Sequence, residues 1–184
     1  MNIGYVASTM IAGIILLSLV TLNLRVSQNS GEQTLYNMAK IQADMIAEYV
    51  ENDLRSIGYG IQGTPIVEAD SNSIRFLVHF EGDEDPTEIS WTFLADSTST
   101  YQNPAIRPLN RTENSDVHNI GVGVTRFRLV YLDQNREVLN PLSMDISQIR
   151  QIRISLITES TQGYGEDRFG RASWTAEITP YNLH

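Results

Sequence analysis

The densest set of possible ligands in this chain is acidic. Glu81, Asp83, Glu84, Asp85 and Glu88 crowd around Gly82 and Pro86. Clustered carboxylate oxygens are the donors that Ca²⁺ prefers, and Asp83, Asp85 and Glu88 are the candidate set. Their spacing fits no EF-hand loop, and a charged turn between two strands is ordinarily just solvated. Glu166-Asp167, inside the Gly-rich stretch 162–170, is a second and smaller candidate. His79, His118 and His184 are scattered, with no His/Glu spacing for zinc and no Gly-x-Ser-x-Gly elbow. No enzyme chemistry and no cofactor other than calcium is therefore expected. The chain has no cysteine, which excludes disulfides and thiolate metal sites. Asn110-Arg111-Thr112 fits the N-glycosylation tripeptide, a pattern short enough to arise by chance. Gly121-Val122-Gly123 is too little for a phosphate cradle and suits a bulge or tight turn.

Charge narrows the partners. Twenty-two acidic residues against 13 basic ones leave a net charge of −9, and the bases are twelve Arg and one Lys without a cluster. Phosphate backbones need concentrated cations, so nucleic acid is not an expected partner.

The acidic turn sits between two alternating segments. Ile74, Phe76, Val78 and Phe80 are followed by Ile89, Trp91 and Phe93, a period of two that predicts an antiparallel hairpin with one buried face. Residues 95–121, rich in Ser, Thr, Asn and Pro, read as a long surface loop with a short strand near Arg107–Asn110. A third strand is expected over Val124–Leu132, with Phe127, Leu129 and Tyr131 inward. The turn Asp133-Gln134-Asn135 follows, and Arg136–Leu139 reads as the start of a return strand. Two more strands are expected at Ile152–Thr158 and Trp174–Ile178, joined by the Gly-rich loop.

Everything else is helix. Ile3–Leu24 carries no Asp, Glu, Lys, Arg or His over 22 positions, about 33 Å of helix and enough to cross a hydrocarbon core. No basic region precedes it, and it exceeds the core of a signal peptide, so a retained anchor is expected over a cleaved signal or a buried core helix. Gly4, Ser8 and Ala12 form a small-residue ridge that lets helices approach closely, with Ala7 and Gly13 beside it. Ser27–Gly31 should be a flexible or partly melted joint. Beyond it Leu35, Met38, Ile41, Met45 and Tyr49, widened by Ile46, Val50, Leu54 and Ile57, make an amphipathic stripe to be buried. Asn37, Lys40, Asp44, Glu48, Glu51 and Arg55 form the polar face, and Gly58-Tyr59-Gly60 is the stop. The expected organisation is a membrane helix over 1–25, its amphipathic continuation over 26–60, and an α+β domain over 61–184 with the helix laid across an antiparallel sheet.

Over nearly its whole length the chain resembles the type IV pilin-like proteins, in the minor pilin and minor pseudopilin group. The helix end Asp53-Leu54-Arg55-Ser56-Ile57-Gly58-Tyr59 is similar to the Asp-Leu-Arg-x-Ala-Gly-Tyr signature of W-type minor pilins and J-type pseudopilins, with Ile57 in place of Ala. Leu109-Asn110-Arg111, the strand Val124–Leu132 and the strand Ile149–Leu156 follow in the family's order. The chain departs from the pattern in showing no basic leader and in carrying Tyr5 where the family has Glu. Either Met1 is the processed first residue or the member is atypical.

The resemblance implies a structural subunit, held in the inner membrane by a single pass with its head outside the cytoplasm. Assembly would then place it in an extracellular or periplasmic filament. Ile3, Gly4, Tyr5, Ala7, Ser8, Ala12, Gly13, Ile14 and Leu17 would pack against other pilin or pseudopilin subunits. A methylated N-terminus is implied, as is a priming or capping role in a type IV pilus or type II secretion system. Calcium in a loop also has precedent in the group. A major pilin, or a single-span anchored binding domain that never polymerises, are the alternatives.

Overall fold

The computed structural model describes residues 3–82, 84–141, 143–164 and 168–183. Helix α1 runs unbroken from Ile3 to Arg55, a rod of about 80 Å. The joint expected at Ser27–Gly31 stays helical. A single interior glycine costs only ~1 kcal/mol, and contacts just beyond it offset that. The Tyr164 hydroxyl donates to Glu32 Oε1 at 3.1 Å, and Gly170 lies against the backbone of Leu35 and Tyr36.

Eight strands follow: β1 (Ile66–Ala69), β2 (Ser73–Val78), β3 (Thr87–Phe93), β4 (Leu109–Glu113), β5 (Asp116–Asn119), β6 (Val124–Leu132), β7 (Gln151–Tyr164) and β8 (Arg168–Ile178). All pair antiparallel, in the orders β1-β2-β3-β4-β5 and β6-β7-β8. The fold is α+β, but with two sheets where one was expected.

Alternation assigned the inner faces correctly in β2, β3 and β6. Ile74 lies opposite Trp91 and Phe76 opposite Ile89, and all four are buried. The hairpin stops at Val78, short of Phe80. Three strand expectations are corrected. The supposed loop at 95–121 contains the β4–β5 hairpin. Arg136–Leu139 contributes only one bridge, Val138 to Leu132. Strands β7 and β8 extend through the described part of the Gly-rich stretch.

The two sheets meet through polar bonds above a shared core. Leu129 N–H donates to the Ser71 carbonyl at 2.8 Å. The Tyr131 hydroxyl donates to the carbonyls of Asp70 and Ser73, at 2.8 and 3.0 Å. Burial raises the Tyr131 phenol well above its ordinary pKa, with the nearby Asp70 carboxylate adding to the rise.

Helix α1 crosses β7 and β8, and the buried Thr158 hydroxyl donates to the Ala39 carbonyl at 2.7 Å. The helix face that meets the sheets is only half the expected one: Ile46, Val50, Leu54 and Ile57 of the expected stripe are buried, but its other half is not. Ala39, Ala43, Ile46, Ala47, Val50 and Leu54 are buried, whereas Met38, Ile41, Met45 and Tyr49 remain 51–59% exposed. The reason is steric. Alanines at 39, 43 and 47 let strand backbone come close, while longer side chains on that line would hold the sheet away. Docking is shared between these alanines and the larger Ile46, Val50 and Leu54.

The helix stops two residues before Ile57, and the chain turns through Gly58-Tyr59-Gly60 as expected. Gly60 has φ 68°, and a Cβ there would come within 2.5 Å of the His79 carbonyl oxygen. Only glycine fits both demands.

Candidate functional site

The residues singled out for assembly share one property: none of the described residues covers them. Ile3, Tyr5, Ile14 and Leu17 are 85%, 73%, 63% and 69% exposed, and Gly4, Ala7, Ser8, Ala12 and Gly13 are exposed as well. This is one helix, long and apolar enough to cross a membrane, with none of that stretch buried. Three of its hydroxyls bond back to the rod. Thr9, Ser18 and Thr21 donate to the carbonyls of Val6, Ile14 and Leu17 at 2.8–2.9 Å, so the small polar residues add little polarity to its outside.

The exposed apolar surface does not end with that run. Met38, Ile41, Met45 and Tyr49 form a second stripe, roughly 145° round the helix from the core face at 100° per residue. Followed downward, the same line passes Thr34, Gly31 and Ser27, all small. The expected polar residues Asn37, Lys40, Asp44 and Glu48 lie exposed between stripe and core. The upper helix therefore has three faces: core, solvent, and an apolar strip that the head leaves bare.

The helix-end motif works as a fastening. Asp53 Oδ2 accepts from Trp91 Nε1 at 2.8 Å and from Arg111 Nε at 2.7 Å, and Oδ1 accepts from Arg111 Nη2 at 3.3 Å. The Asp53 and Arg111 side chains are only 14% and 17% exposed. Hydrogen bonding to Asp53, with Glu113 assisting, raises the Arg111 guanidinium above its ordinary pKa. Leu54 is fully buried, Arg55 pairs with Glu51 one turn earlier, and Gly58 N–H and Tyr59 carbonyl bond to β2 and its extension at Leu77 and His79. The motif ties the end of α1 to the five-stranded sheet. Trp91 was expected inward; Arg111 as its polar partner was not. The available signal was an arginine directly cross-strand from that tryptophan.

Only part of the calcium candidate set lies within the described residues. Asp83 lies outside the described residues, as do Glu166 and Asp167. Asp85 is exposed in the turn. Glu88 belongs to β3, its carboxylate 3.7 Å from Arg75 Nη1. Among the described residues, no three His, Cys, Asp or Glu side chains are grouped to hold a metal. Asn110 of the glycosylation tripeptide sits in β4, opposite Thr92 and Asn119.

Compared with known proteins, the chain matches no family model and no curated sequence.

Proposed function

We propose that the protein is a structural subunit of a type IV pilus-like or type II secretion pseudopilus filament. In this reading it is a minor subunit that primes or caps assembly through α1, stored in the inner membrane with its head outside the cytoplasm. The observation that carries the proposal is the second apolar stripe. A bilayer accounts for Ile3–Leu24, because lipid covers it. Met38 to Tyr49 begins about 20 Å beyond Leu24 along the helix and continues for about three further turns of exposed apolar contacts. Lipid does not reach that far, so a different cover is needed. Parallel helices of sister subunits supply it, together with packing along the Gly4, Ser8 and Ala12 ridge. A repeated, non-closing contact of that kind builds a filament.

A single-span domain that never polymerises leaves the stripe bare, which is what separates the two readings. The chain has no native cysteine, so one-cysteine variants give clean crosslinking in cells that make the filament. Met45→Cys should crosslink to another filament subunit, and Glu48→Cys, on the polar face, should do so far less. Sheared filaments should contain the chain with a methylated N-terminus. If Met45→Cys stays monomeric and the chain is absent from filaments, the filament reading is lost.

A further inference from the structure

Helix α1 carries a repeat that its head does not explain. From Met45 downward, Ile41, Met38, Thr34, Gly31 and Ser27 follow at alternate spacings of four and three. The same spacing continues through Leu24, Val20, Leu17 and Gly13 to Ile3. All of these positions are exposed, and none is charged. A repeat of 3.5 residues held over about 63 Å of helix is the seam of a left-handed helix pair. Within the apolar run many spacings would fit, so the informative part is Ser27–Met45, where polar residues begin and the seam still avoids charge. The Thr34 hydroxyl donates to the Ser30 carbonyl at 2.9 Å and so adds little polarity to it.

Two further observations point to a second copy of this chain as the partner. Gly13 and Gly31 both lie on the seam, and a Cβ on either would meet nothing within 4 Å. Helix interiors disfavour glycine, and no contact among the described residues calls for it there. A second helix passing at about 8–10 Å does. The positions flanking the seam, in turn, carry no charge from Ala7 to Gln42. Arg25, Glu32 and Lys40 fall outside both seam and flanks. Identical helices in register bring like residues together, so a charge in the flanks would repel its own copy. A different partner would leave the flanks free to carry the charges that select it. Asp44 and Glu48 close the seam at Met45.

Size and geometry agree with this. A strip about 63 Å long and 8–10 Å wide covers roughly 500–600 Å² of each helix, or just over 1,000 Å² in all, enough for a specific pair. The upper seam faces away from the sheets, so a two-fold axis along it sets the two heads on opposite sides.

We infer that two copies of the chain pair in register along Ile3–Met45, a parallel dimer that covers the upper stripe while the subunit waits in the membrane. The inference rests on the membrane placement in the proposed function, which makes the two helices parallel. A filament contact joins different levels of neighbouring rods, so the pair must part before its members enter one.

The test uses the full chain made without other filament components and placed at low density in phosphatidylcholine vesicles. Thr34→Cys, Met38→Cys and Met45→Cys should each oxidise to a disulfide dimer about tenfold faster than Lys40→Cys. Adding Gly31→Leu to Met38→Cys should slow the dimer about tenfold and leave thermal unfolding no lower, since a Cβ there meets nothing in the chain. Chains that stay monomeric, Lys40→Cys oxidising as fast, or pairing unchanged by Gly31→Leu overturns the inference. Mixed disulfides between Thr34→Cys and Met45→Cys chains, about 16 Å apart along the rod, would show a staggered contact and overturn it too. Monomers here beside Met45→Cys crosslinks in filament-making cells remove only the pair. Dimers here with the chain absent from filaments remove only the filament reading.

Discussion

Removing the Asp53 carboxylate should loosen the helix from the five-stranded sheet by an amount that the local geometry sets. In Asp53→Ala, the fully buried Trp91 loses the acceptor of its indole N–H, a penalty of about 1–3 kcal/mol. Arg111 loses its main partner but keeps Glu113, which is 48% exposed. Its cost therefore falls below the roughly 3–5 kcal/mol of a wholly uncompensated buried charge. Together these put Asp53→Ala at about 3 kcal/mol, or some 6–12 °C in Tm for a chain of this size. Asp53→Asn keeps an acceptor for Trp91 and should cost about half as much. Thermal unfolding of the full chain in detergent, followed by near-UV circular dichroism, reads the change beside Trp91 directly. Adding Arg111→Met to Asp53→Ala should cost much less than Arg111→Met alone, a coupling of about 2 kcal/mol. Additive losses, or a loss under about 1 kcal/mol for Asp53→Ala, would refute the fastening.

Tyr131→Phe should cost about 1–3 kcal/mol by removing the hydroxyl bonded to the carbonyls of Asp70 and Ser73, of which Ser73 keeps the Asp70 N–H, and hydrogen exchange should quicken at Leu129 and Ser73. With its phenol raised by burial, Tyr131 should stabilise the fold fully below its unfolded pKa, near 10, and lose that contribution as pH rises beyond it. Gly170→Ala should push the β7–β8 hairpin off the helix, because its Cβ would meet the Leu35 carbonyl carbon at 2.4 Å and Tyr36 N at 2.5 Å. A loss of about 1–3 kcal/mol and a broken Tyr164–Glu32 contact are expected in unfolding and crosslinking assays. The Glu177 carboxyl, held low first by its hydrogen bond to Arg153 and then by the charges of Arg153 and Arg136, should titrate by NMR below the ordinary glutamate value. Its small contribution is present above that value and disappears as pH falls through the lowered one, and Arg153→Gln should bring the midpoint back up.

What could be read from sequence was what local periodicity encodes. Ile74-Phe76-Val78, Ile89-Trp91-Phe93 and Val124–Leu132 alternate strongly, and all three became strands with the expected faces. Strand β4 was only partly legible, as a short strand near Arg107–Asn110, and β5 stayed hidden, because Leu-Asn-Arg-Thr-Glu and Asp-Val-His-Asn carry almost no apolar alternation; they are held by backbone pairing. The first half of β8, Arg168–Ser173, looked like loop for the same reason, and its pairing with β7 compensates for the glycines. Division into two sheets depends on non-local bonds such as Leu129 to Ser71, which no window of sequence contains. At the candidate site the exposed span was legible from length and apolarity, but the stripe was assigned whole to the core, where only Ile46, Val50, Leu54 and Ile57 of it lie. Periodicity weighs large side chains, and this interface also uses alanine. Asp53 was legible as part of a motif, yet its partners lie 38 and 58 positions away in sequence.

These contacts also bear on how a head and a rod act together. The head grips α1 at Glu32 through Tyr164, at Ala39 through Thr158, and at Asp53 through Trp91 and Arg111. Those points are spread over about 32 Å of helix. A rod held at one point can swivel under its head; one held at three such points carries the head with it. The stripe Met38–Tyr49 lies between the outer grips, so any helix that packs on it also sets the rotation of the head. In the proposed filament, the lower helix would therefore decide whether a subunit joins and the upper helix which way its head faces. Asp53→Ala releases the uppermost grip without touching the stripe. Met45→Cys crosslinking should then survive in that variant, while any contact between neighbouring heads becomes disordered.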